Sequence, residues 1–118
     1  MASAKNRVIA GDYNNYKVTS SGTYACITNG SFLDAVAYLN KKHVESYELI
    51  TEDQAKSGTS AILRGMAGVA VFGGVGILAG LSAKNKGIYT IAIQWKNGKK
   101  SLIEIDDKLY KKFVVDMF

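Results

Sequence analysis

Histidine, cysteine and clustered carboxylates are the side chains with which a small domain does chemistry, and this chain of 118 residues has few of them. The one histidine, His43, stands between Lys42 and Val44 with no cysteine or carboxylate at a metal-ligand spacing, and reads as a surface strand residue. The one cysteine, Cys26, falls in an apolar β-prone run with no general base beside it, so a small buried hydrophobe is expected. Two acidic groups, Glu45/Glu48/Glu52/Asp53 and Glu104/Asp106/Asp107, have the density a divalent cation needs. Carboxylates scattered along strand faces ordinarily just face water, and no metal site is expected from them. Gly73-Gly74-Val75-Gly76 with Gly80 has the glycine content of a nucleotide loop, but neither the G-x-G-x-x-G spacing nor a following Lys-Ser/Thr. The chain therefore reads as a non-enzyme with no catalytic residue and no cofactor.

Charge and composition narrow the partners. The net charge is +5, and of the 15 basic residues only Arg7 and Arg64 are arginine. Readers of nucleic acid lean on arginine for bidentate contacts, whereas dispersed lysines make a solvated surface with weak attraction for anions. Nucleic acid is not an expected partner. A lone cysteine excludes an intrachain disulfide and fits a reducing compartment. The first residues carry no apolar run behind their basic ones, so no secretory signal is expected and the cytoplasm is the expected location.

The elements that would position any function are organised around Gly65 to Leu81, GMAGVAVFGGVGILAGL, which is uncharged and holds six of the 12 glycines. Glycine inside a helix costs about 0.5 to 1 kcal/mol relative to alanine, so such a stretch needs close backbone packing against a partner. Residues 60–83 are expected to form a helical hairpin broken at Gly73-Gly74 within a single domain spanning residues 1–118. Three fates are open to it: covering one face of the domain's own sheet, self-association, or insertion into a membrane, since 19 uncharged residues run from Gly65 to Ala83. Self-association would rest on Gly65, Gly68, Phe72, Gly73, Gly76 and Gly80.

Around that stretch the pattern is β-rich. Short strands are expected at Val8-Ile9, Tyr16 to Thr19 and Thr23 to Thr28, with turns at Gly11-Asp12, Asn14-Asn15 and Asn29-Gly30. Ser31 to Leu39 fits a strand or a helical turn, and His43 to Thr51 a strand. Thr51 to Gln54 has helix-start chemistry, with Thr51 as N-cap. Ile88 to Asp106 is a hairpin. A three-residue loop with Gly98 in the left-handed region pairs Ile93 with Ser101, Ile91 with Ile103 and Tyr89 with Ile105, leaving Thr90, Glu104, Gln94 and Lys100 on a wet face. From Asp106 onward, Leu109, Tyr110, Phe113, Val114 and Met117 recur at helical spacing, with Lys111 and Lys112 turned to water.

The order of these parts, an acidic strand end, the glycine-rich segment with its central GGVG, then IAIQWKNGKKSLIEIDD and a helix, resembles short proteins of bacteria and their phages. The body of those proteins looks like a pleckstrin-homology-type domain. The resemblance covers roughly Val44 to Phe118 and implies a small β-rich binding scaffold, with no substrate and no site residues attached. The expected fold is α+β: a bent antiparallel sheet with a glycine-rich helical hairpin and a C-terminal amphipathic helix. The expected function is a homo-oligomeric interaction module, in a phage setting one that engages a second, host protein. A small membrane protein using residues 65–83 is the alternative.

Overall fold

A computed structural model describes residues 6–21, 24–29, 35–50, 61–64 and 87–118. Among them the chain forms strands β1 (Arg7–Gly11), β2 (Lys17–Ser21), β3 (Tyr24–Thr28), β4 (Ala35–Tyr38) and β5 (Val44–Leu49), then helix α1 (Ala61–Arg64), strands β6 (Ile88–Trp95) and β7 (Lys100–Asp106), and helix α2 (Asp107–Met117). All strand pairs are antiparallel, in the order β4-β3-β2-β1-β7-β6-β5. The two outermost strands are thus neighbours in sequence, joined by the short turn through Leu39 to His43. That connection is possible only because the sheet curls until its ends approach each other.

The concave side holds the core. Val8, Ile27, Ile91, Ile93, Ile103 and Ile105 are fully buried there, and α2 lies against β3, β6 and β7. Phe113, at the middle of α2, is fully buried and meets the Tyr47 ring of β5 edge-on at 4.7 Å. Helix α2 starts where the sequence places it. Asp106 is the N-cap, its Oδ1 accepting the Leu109 N–H at 2.9 Å while its Oδ2 accepts from the Asn6 side-chain amide at 3.1 Å, which pins the helix to the beginning of β1. Tyr110 stacks on Tyr89 with centroids 4.0 Å apart. The Tyr89 hydroxyl donates to Asp107 at 3.1 Å, a bond that raises the phenol pKa above its ordinary value. Asp107 is held below the usual carboxylate range by its bond to Lys111, with Tyr89 adding to it.

The β6–β7 hairpin has the three-residue register read from the sequence: Tyr89 pairs with Ile105, Ile91 with Ile103, Ile93 with Ser101, and Trp95 N–H donates to the Lys99 carbonyl across the loop. Gly98 has φ +90°. The convex face departs from expectation. Thr90 and Glu104 are buried at 7% and 9% exposure instead of wet, and Ala92 and Leu102 between them are fully buried. The reason lies in the register. Glu48, Ala92, Leu102 and Ala10 form one row across four strands on that face, and a row with three apolar members has to be covered. Helix α1 packs on β6 and β7 there, with Ile62 buried and the Ile62 N–H donating to Glu48 at 3.2 Å.

Other expectations also change. The acidic groups are not simply solvated, since Glu48 receives α1, Glu104 is buried and Asp106 caps α2. Lys112 is only 34% exposed and pairs with Asp116, whereas Lys111, paired with Asp107, is 74% exposed. Within the ambiguous stretch Ser31 to Leu39, Ala35–Tyr38 is a strand, and residues 31–34 lie outside the described residues. Of the helical hairpin expected over residues 60–83 only Ala61–Arg64 is described, as a helix; the helix start at Thr51, the rest of the hairpin and all six of its proposed contact residues lie outside the described residues.

Two measurements check this packing. A Cβ at Gly98 would meet nothing within 4 Å, so Gly98→Val should destabilise the domain through backbone strain alone, by about 1 to 2 kcal/mol in denaturant unfolding. Phe113→Ala empties the centre of the concave core and should cost about 3 to 5 kcal/mol, while Lys111→Ala should leave the melting temperature within a degree or two.

Candidate functional site

Three connections meet at one corner of the curl. The loop after β1, the turn between β4 and β5 and the turn between β6 and β7 converge there and enclose a cavity of about 230 Å³. Its floor is Trp95, the only tryptophan in the chain, and one wall is Tyr13, whose ring meets Trp95 edge-on at 5.9 Å. Val36 and Ala37 of β4 form the apolar side. Lys42, His43, Lys96 and Asn97 complete the lining, and no carboxylate belongs to it among the described residues.

The floor is fixed by a short buried relay. Trp95 Nε1–H donates to Ser101 Oγ at 2.8 Å, and the Ser101 hydroxyl donates onward to the Asp12 carbonyl at 2.7 Å. The loop after β1 is thereby tied to the β6–β7 hairpin, and Asp12 strengthens the tie by exchanging two backbone-directed bonds with Lys100. That loop is unusual in its backbone. Gly11, Tyr13 and Asn15 all have positive φ, of 85°, 63° and 72°. Glycine and asparagine tolerate this region, but a bulky aromatic residue there costs about 1 to 2 kcal/mol. The Tyr13 ring has contacts that hold it: Trp95, Tyr16 at 5.9 Å, and the Lys99 ammonium 5.5 Å above its face.

The polar atoms facing the cavity are sorted by what the surrounding backbone has already used. His43 is not the strand residue expected from the sequence. It lies in the β4–β5 turn, half-buried, with Nδ1 accepting the Tyr38 N–H at 3.0 Å, so in the neutral ring the hydrogen sits on Nε2. Asn97 accepts the Lys99 N–H through Oδ1 at 3.0 Å, which directs its NH₂ toward Tyr13 Oη at 3.4 Å. Lys42 and Lys96 have no ion-pair partner among the described residues. The side-chain acceptors His43 Nδ1 and Asn97 Oδ1 are occupied, which leaves His43 Nε2 and the second Asn97 amide hydrogen as donors.

Sequence reasoning passed over every one of these residues except His43, which it placed on a strand. The available signal was local: a lone tryptophan directly followed by Lys-Asn-Gly, at a turn whose register could be worked out. Nothing in the pattern says that the turn meets Lys42 and Tyr13, because both arrive through the curl. Cys26 is the buried apolar residue anticipated, its thiol pKa raised by burial. Among the described residues no three metal-ligating side chains cluster, and no helix is long and apolar enough to cross a membrane.

No family model, curated protein or solved structure matches the chain.

Ser101→Ala would leave the buried Trp95 N–H without an acceptor and free the loop after β1. The expected loss is about 1 to 3 kcal/mol in denaturant unfolding, with a shifted tryptophan emission in the native state.

Proposed function

We propose that this protein is a non-enzymatic interaction module of the pleckstrin-homology-like kind, which assembles with copies of itself through the glycine-rich segment. One observation carries the reading. The segment lies between two strands that already pair with each other: β5 and β6 are hydrogen-bonded neighbours, the Ile50 N–H still donates to the Thr90 carbonyl, and β6 begins just after Gly87. Two adjacent antiparallel strands need only a short turn. The β5–β6 pairing does not require a connection as long as residues 51–86, and the apolar side chains of such a connection have to be buried, as Ile62 is on the convex face.

Helix α1 directs where that occurs. Ile62 and its bond to Glu48 seat the start of the segment on the convex face, away from the core and away from the cavity. Small residues at Gly65, Gly68, Gly73, Gly76 and Gly80, with Phe72 among them, let backbones of neighbouring copies approach closely. In a bacterial or phage setting, the assembled surface is also where a host protein would be engaged. The lysine-rich exit at Lys84 and Lys86 keeps the assembly soluble.

Light scattering from the full chain in detergent-free buffer is expected to report an oligomer. Gly76→Leu should give smaller particles with circular dichroism retained, because overpacking an interface costs about 1 to 3 kcal/mol per site. A wild type that is monomeric, and whose melting temperature falls on Gly76→Leu, would give the segment to the domain's own convex face. Flotation of the wild type with lipid vesicles would give it to a membrane. Either result removes self-association.

A further inference from the structure

We infer that the cavity between β4 and the β6–β7 turn binds a small ligand consisting of an anionic group, phosphate by preference, on a single flat apolar ring. The site is distinct from the glycine-rich segment, and the inference stands whether or not the chain self-associates.

Its chemistry follows from what each lining atom has left to offer. Lys42 and Lys96, from two separate turns, are both among its lining residues and give that end of the fold a positive charge. His43 has Nε2–H left to donate because its Nδ1 is committed to Tyr38, and Asn97 has the second hydrogen of its NH₂, the first being directed at Tyr13 Oη and its carbonyl oxygen being committed to Lys99. A cavity lined by hydrogen-bond donors and two cations, with no carboxylate among its described lining, favours an anion over a cation or a neutral acceptor-poor molecule. Lysines supply point charges suited to a compact dianion, not the planar fork that arginine offers a carboxylate.

The remainder of the ligand is set by the floor and walls. Trp95 and Tyr13 form an edge-on aromatic corner, and Val36 and Ala37 close the opposite side. At about 230 Å³ the space lies below the range of about 300 to 1,000 Å³ that drug-sized molecules occupy, which leaves room for one ring. The corner is also built ahead of any ligand. The Trp95–Ser101–Asp12 relay fixes the indole, and Tyr13 is held against it at positive φ at a cost the loop need not bear for stability alone.

Because Trp95 is the only tryptophan, all indole emission comes from one residue, which lines the cavity and reaches into the core. The full-length protein is titrated with phenyl phosphate, and with phenol and inorganic phosphate as the two halves. Phenyl phosphate should give a saturable change in emission, with each half binding at least about tenfold more weakly. Lys42→Gln combined with Lys96→Gln should weaken phenyl phosphate by about tenfold or more at an unchanged melting temperature. Should that double variant misfold, the wild type carries the same test, since raising sodium chloride from about 0.05 to 0.3 M must weaken binding severalfold. The inference is overturned if phenyl phosphate gives no saturable change up to about 10 mM, if phenol binds as tightly, or if neither the lysine substitutions nor salt affects the affinity.

Discussion

A curled antiparallel sheet has two wings, and something must hold the angle between them. Here it is the side chain of Phe113. The β2–β3–β4 wing and the β5–β6–β7 wing share backbone bonds only through β1, and β1 is itself interrupted by a bulge between Val8 and Ala10. Besides that seam the wings are joined by the short connection of residues 39–43 between β4 and β5, and the space enclosed between them has to be filled. Helix α2 spans the gap, touching β3 on one side and β6 and β7 on the other, with Phe113 and the Tyr47 ring at the contact. The corner cavity and the β4–β5 connection both presuppose this angle, because each joins parts of opposite wings.

What was legible in the sequence was whatever depends on neighbours along the chain. The β6–β7 register follows from a three-residue loop at Gly98 and the alternation of side chains on the two strands that flank it. The α2 stripe and its Asp106 cap follow from spacing. The wet convex face was misjudged for a related reason: polar Thr90, Glu104, Gln94 and Lys100 dominate the alternation, while the row that controls burial runs across the sheet, from Glu48 through Ala92 and Leu102 to Ala10. Two of its members come from β5 and β1, far away in sequence, and no periodicity along one strand contains them. His43 and the cavity escaped for the same cause, since the cavity exists only once the curl brings Lys42 beside Lys96 and Tyr13 over Trp95.

The two faces of the sheet divide the labour. The concave face is filled by the C-terminal helix and closes the domain on itself. The convex face carries α1 and with it the root of the long connection between β5 and β6, so an insertion rich in glycine is attached where the fold already needs cover. Function on such a scaffold can change by altering residues 51–86 or the corner turns without disturbing the ladder of seven strands described here.

The bond from Tyr38 to His43 has a meaning beyond the cavity. Leu39 donates its N–H inward to Ala25, so the N–H of Tyr38 points off the open side of β4, the last strand on that flank. A short rim strand with Val36 and Tyr38 exposed would otherwise invite stray chains to zip onto it, the first step toward precipitation and fibrils. The His43 imidazole occupies that donor and lays its ring against Tyr38 at 5.4 Å. It serves as a stopper: a side chain supplied by the next turn takes the place that a foreign backbone would fill, and colloidal stability is written into the same residue that lines the corner.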